Sequence, residues 1–147
     1  MDLLPTDATG APARWLLCFT GRSELWWINL IPGRFKHVRA FSYTSQTDCW
    51  MFYDPCLRTA LFTARGEAAR SLMLAWSRGA AVLAMAPLAD RHLRLSPFSC
   101  VTAIASLMCL PGGALRPDGL YRQCLRHGAQ IVDGTRPAPD HPDRPAA

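Results

Sequence analysis

The chain has 147 residues, half of them hydrophobic, and carries 16 Lys+Arg against 11 Asp+Glu for a net charge of +5. That length and apolar content predict one globular domain with a real core and exclude a disordered chain. Fifteen of the sixteen cations are Arg, with Lys36 alone. They punctuate apolar segments, as Arg65, Arg70, Arg78, Arg91, Arg94, Arg116, Arg122 and Arg126 do, so no nucleic-acid partner is expected.

The N-terminus has no basic n-region, Trp15–Phe19 is too short for a signal core, and no apolar run approaches the ~20 residues of a membrane span. Six cysteines (Cys18, Cys49, Cys56, Cys100, Cys109 and Cys124) form no C-x-x-C pair and no dense Cys/His zinc spacing. The expected setting is synthesis in a reducing cytoplasm with free thiols, no membrane span, and no metal or organic cofactor.

Residues 1–12, with Pro5, Gly10 and Pro12, are expected to begin as a loop. Arg14–Thr20 and Leu25–Leu30 are short, aromatic and apolar, and predict two strands of a hairpin turning at Gly21–Ser23. Ile31-Pro-Gly breaks the pattern. Phe35–Tyr43 alternates, with Phe35, His37, Arg39, Phe41 and Tyr43 on one face, and predicts the next strand. A polar turn over 44–48 leads into a strand at Cys49–Tyr53, which Asp54-Pro55 is expected to stop. Leu57–Thr63 offers one more strand.

Glu67–Ser77 predicts a helix with Ala68, Leu72, Ala75 and Trp76 on its apolar side, ended by Gly79. Ala80–Ala86 suits a fully buried strand, with a buried helix as the alternative that periodicity leaves open. His92–Leu95 is a candidate short strand. Pro97 and Ser99 then supply helix-start chemistry for the apolar repeat of 100–110, and Pro117–His127 predicts the last helix. The tail from residue 134 is Pro-rich and charged, as a disordered segment would be. The expected organisation is a single α+β domain over 1–133, an antiparallel sheet with helices packed on it, followed by the tail 134–147.

Cys100 carries the chemistry. It falls in the first turn of its helix, where unpaired N–H groups and the positive end of the dipole favour a thiolate. Such a nucleophile needs an imidazole to exchange its proton, and the imidazole needs an acceptor to orient it. Of four histidines, His141 lies in the tail, His127 ends the last helix and His92 sits between Arg91 and Arg94. His37 opens a strand whose neighbour ends in Asp54, so adjacent antiparallel strands would bring ring and carboxylate together.

Phe35-Lys-His-Val-Arg-Ala-Phe-Ser-Tyr, a polar turn and Cys-Trp-Met-Phe-Tyr-Asp-Pro together resemble the His-to-Asp/Asn half of papain-like cysteine peptidases. His37, Trp50 and Asp54 take the matching positions, and the Cys100 helix resembles the nucleophile helix. The order His37, Asp54, Cys100 is similar to that of the circularly permuted NlpC-type members. The segment Leu110–Ala129, with Pro117-Asp-Gly-Leu-Tyr at its centre, is similar to an ending of small permuted NlpC-like proteins of bacteriophages and prophages. The resemblance implies a permuted papain-like fold. It also implies a Cys100–His37–Asp54 triad acting through an acyl-enzyme on a peptide or peptidoglycan stem-peptide bond.

A phage setting further implies incorporation into a particle and phage tail or virion proteins as partners. Where such enzymes carry an oxyanion-binding Gln, this chain has Arg94, and Gln46 is the substitute weighed for it. The same fold could instead serve as a non-catalytic component of a phage tail or virion-like assembly. A lipid acyltransferase is the third reading. Tyr43 is a candidate border of the site, and Trp26-Trp27 is expected to serve core or interface packing.

Overall fold

The structure is a computed structural model that describes residues 14–55, 59–88 and 99–132. Six strands form one antiparallel sheet: β1 (Trp15–Thr20), β2 (His37–Thr44), β3 (Cys49–Pro55), β4 (Thr59–Ala64), β5 (Ala81–Met85) and β6 (Gln130–Val132). Their order across the sheet is β4-β3-β2-β1-β5-β6. Three helices accompany it, α1 (Gly66–Ser77), α2 (Cys100–Leu107) and α3 (Pro117–Arg126). The fold is therefore α+β, as composition and periodicity lead one to expect. The sequence-expected strand at His92–Leu95, the opening loop and the tail from 134 lie outside the described residues, as do Cys56, Arg94, Pro97 and His141.

Strand alternation assigns the two faces of the sheet. Leu17, Phe19, Val38, Ala40, Tyr53, Leu83 and Met85 point to one side, where α2 and α3 close the core with Val101, Ile104, Leu107 and Leu120. Cys18, Phe41, Phe52 and Val82 point to the other, where α1 covers them. Helices thus lie on both faces. β1 and β5 are apolar on both sides for that reason, which settles Ala80–Ala86 as a buried strand rather than a helix.

The segment Leu25–Leu30 is not the second strand of a hairpin. It forms turns and a short 3-10 stretch, Ile28–Leu30, and β1 pairs instead with β2 and β5. Side chains hold it out of the ladder: Asn29 Oδ1 accepts from the Ser23 N–H at 2.8 Å, and Asn29 Nδ2 donates to the Ser23 carbonyl at 3.0 Å. These bonds close a local loop, a competition that short polar side chains often win.

Two further expectations are corrected. β3 runs two residues past Tyr53 and stops only at Pro55 itself, because Asp54 still pairs with Ala60 and Pro55 with Thr59 of β4. Pro is tolerated there as the last residue of the strand. In α1 the buried side is Ala69, Leu72, Met73 and Trp76 rather than one containing Ala68 and Ala75. The indole of Trp76 sets that rotation by packing edge-on against Phe52, ring centroids 5.2 Å apart, and against Phe41 at 6.4 Å.

α2 begins where its chemistry says it should. Ser99 accepts from the Thr102 N–H at 3.2 Å, and Thr102 Oγ1 accepts from the Ser99 N–H at 3.1 Å, a reciprocal capping box. Ser99→Ala is therefore expected to lower stability by about 1 kcal/mol. Urea unfolding checks this, with the midpoint moving and the slope unchanged.

Candidate active site

One end of the sheet gathers the termini of three strands. β1 ends at Thr20, which faces His37 at the start of β2, and β3 ends beyond Asp54. The ladder runs on past the strand start, since Lys36 N–H donates to the Thr20 carbonyl at 2.7 Å. Just before it, Phe35 is buried in a triangle with Phe19 and Tyr121, with ring centroids 5.5, 5.1 and 5.0 Å apart. The backbone that carries His37 is thus anchored to both β1 and α3.

A second anchor comes from α3. Asp118 accepts from the Arg34 N–H at 3.1 Å and the Phe35 N–H at 3.2 Å. The loop can lie this close only because position 33 is glycine. Its φ is +138°, and a Cβ there would meet Asp118 Oδ2 at 2.6 Å.

His37 is buried and its Nε2 lies 2.6 Å from Asp54 Oδ1. Asp54 reaches it diagonally, because extending the β2–β3 register past Ala40–Tyr53 sets Asp54 opposite Arg39. The Cys100 thiol, at the first turn of α2, lies near enough to the same imidazole to favour its protonated form. With Nε2 engaged by the carboxylate, Nδ1 is the ring nitrogen left for the sulfur. His37, Asp54 and Cys100, singled out from the sequence, are brought together.

Electrostatics favour an ionised His37–Asp54 pair. Burial of the His37 ring opposes protonation. The Asp54 hydrogen bond, the Cys100 hydrogen bond and the charges of both outweigh it and lift His37 from 6.5 to about 9. Burial likewise works against ionised Asp54, but the His37 hydrogen bond and charge and the Arg39 cation hold it below the ordinary carboxylate value. By contrast, burial pushes the Cys18 and Cys124 thiols up to about 12, which leaves them inert at neutral pH.

Arg39 is a member of this cluster that residue chemistry alone did not single out. Its Nε lies 3.0 Å from Asp54 Oδ2, too oblique for a hydrogen bond, so the contact is an ion pair. Its guanidinium also sits over Trp76, 5.2 Å from the ring centroid. The signal was present in the strand alternation, which sets Arg39 on the His37 face.

Two other candidates fall away. β2 is eight residues long, so Tyr43 and the turn containing Gln46 lie roughly 20 Å or more from His37, at the opposite end of the strand. Tyr43 donates there to Asp48 at 2.6 Å and packs on Trp50, ring centroids 5.4 Å apart. Trp50 accordingly belongs to that far end. Trp26 and Trp27 are exposed rather than packed in the core.

Beside the thiol opens a cleft of about 340 Å³ whose walls include Trp27, Ile31, Phe35, Cys100, Leu115 and Arg116. Sequence reasoning missed it because its walls come from a non-repetitive loop and the approach to α3. No group of three or more His, Cys, Asp or Glu side chains among the described residues is arranged to hold a metal ion. Comparison with protein-family models, curated proteins and solved structures gives no match to the chain.

Proposed function

We propose that the chain is a cysteine hydrolase of the circularly permuted papain-like, NlpC-type kind, cleaving an amide bond in a peptide or a peptidoglycan stem peptide. The observation that carries this is the buried His37 imidazole, held 2.6 Å from the Asp54 carboxylate and electrostatically coupled to the Cys100 thiol. A histidine held so is oriented and charge-stabilised for proton exchange with a thiol.

The Cys100 thiolate attacks the carbonyl carbon, forming a C–S bond and an oxyanion. The helix start supplies the Cys100 backbone N–H as the candidate first oxyanion donor. Protonated His37 gives its proton to the leaving nitrogen, the C–N bond breaks, and a thioester remains. Neutral His37 then takes a proton from water, whose oxygen displaces sulfur and releases the acid. Asp54 keeps the ring in register and balances its charge, while Arg39 steadies Asp54.

The position of Gln46 favours a second reading. With that glutamine at the far end of the sheet, it cannot serve as the second oxyanion donor. A non-catalytic role in a phage tail or virion-like assembly is what such a loss would leave.

Alkylation separates the two. Iodoacetamide at neutral pH, followed by peptide mapping, is expected to label Cys100 roughly tenfold or more faster than the partly exposed Cys109. His37→Ala is expected to remove the difference. Equal rates at Cys100 and Cys109 in the wild type would sink the hydrolase reading.

A further inference from the structure

The loop that failed to form a strand leaves its largest side chains in solvent. Trp26 is 73% exposed, Leu30 74% and, on the approach to α3, Leu115 87%, with Trp27 and Ile31 also exposed. Trp27, Ile31 and Leu115 line one cleft, so the patch is continuous across two segments distant in sequence. Apolar side chains of this size clustered in water mark a surface with an occupant.

Charge identifies the occupant. Residues 21–36 and 113–122 carry five cations, Arg22, Arg34, Lys36, Arg116 and Arg122, against two carboxylates. Both carboxylates are already engaged, Asp118 by the Arg34 and Phe35 N–H groups and Glu24 by Arg39 Nη2 at 3.4 Å. A second copy of the chain docking through the same face would set these cations against themselves. An anionic bilayer has the complementary charge. Trp, Leu and Ile flanked by Arg and Lys are the side chains that partition into its headgroup boundary. No described helix is long and apolar enough to cross a membrane, so such attachment would be to the surface.

We infer that the face formed by the 26–31 loop and Leu115 docks on an anionic lipid surface, with the Cys100 cleft opening toward the headgroups. This goes beyond the hydrolase reading and does not depend on a reactive thiol. It does place any substrate of Cys100 among molecules met at a membrane.

Co-sedimentation tests it, using phosphatidylcholine vesicles with about one third phosphatidylglycerol against phosphatidylcholine alone. The full chain is expected to bind the mixed vesicles, more weakly as salt rises, and to shift its Trp emission to the blue. Trp15 and Trp76 are already buried, and the half-buried Trp50 pairs with Tyr43 at the far end of β2, so that shift reports on Trp26 and Trp27. The double variant Trp26→Ser/Trp27→Ser is expected to lose roughly tenfold or more in binding. Arg34→Gln is expected to lose about fivefold. Cys100→Ala is expected to bind as the wild type does, which separates this result from any failure of the hydrolase reading. Absence of binding to the mixed vesicles, or binding unchanged in the folded double Trp variant, would overturn the inference. So would a dimer in sedimentation velocity that the double variant abolishes, with no vesicle binding.

Discussion

Asp54→Ala is expected to lower the unfolding free energy by about 3 kcal/mol near pH 6, because it strips a partner from two cationic groups at once. His37 loses its 2.6 Å hydrogen bond and Arg39 its 3.0 Å ion pair. Glu24 and the Trp76 face remain to Arg39, which keeps the loss near the low end of what breaking a buried pair costs. Asp54→Asn retains the shape without the charge and should fall between. Urea unfolding of the three proteins measures this.

The same pair shapes the pH dependence of stability. His37 has a folded-state pKa raised from 6.5 to about 9. Its stabilising contribution, roughly 3 kcal/mol, is therefore complete below about pH 6.5 and is lost as pH rises through 9. Asp54 is shifted the opposite way. Its contribution is present above the ordinary carboxylate value, about 3.9, and is lost as pH falls below that. The two together favour the folded chain most between about pH 4 and 6.5, and Asp54→Ala should flatten the alkaline arm. An alkaline arm of the same height in Asp54→Ala would mean that other groups set the profile.

Phe19→Ala is expected to cost about 4 kcal/mol, the range for emptying a buried aromatic site. Phe19 is fully buried and its ring supports both Phe35 and Tyr121. The cost should reach the site as well, since Phe35 leads directly into His37. Cys100 alkylation in Phe19→Ala should therefore slow even below the melting range. Phe19→Leu, which refills most of the volume, should cost less than about 1.5 kcal/mol and leave alkylation near wild type. Equal losses in the two variants would deny the triangle its positioning role.

Much of the architecture was legible because the sheet is buried on two faces. Alternation in β2 and unbroken apolar runs in β1 and β5 are the patterns such burial writes into a chain. Leu25–Leu30 misled for a specific reason: its apolar content is strand-like, but Ser23 and Asn29 supply a competing set of hydrogen bonds. β6 left no pattern, being three residues long with two of them exposed.

Sheet order is also beyond periodicity, since β5 pairs with β1 only after the chain has crossed a face by way of α1. In the site, His37, Asp54 and Cys100 were visible as residue types with local context, and the structure gathers them into one cluster. The rest depends on register. Arg39 meets Asp54 because of how β2 and β3 align, Gln46 is removed by the length of β2, and the cleft depends on the Gly33–Asp118 closure.

The central claim is that one imidazole joins Cys100 and Asp54, and a nitrogen-15 NMR titration of His37 tests it most directly. His37 is predicted to titrate at about 9 and to move toward lower pH both in Cys100→Ala and in Asp54→Ala. A His37 that titrates at or below its ordinary value of 6.5, or whose midpoint ignores the loss of Cys100, would contradict the account.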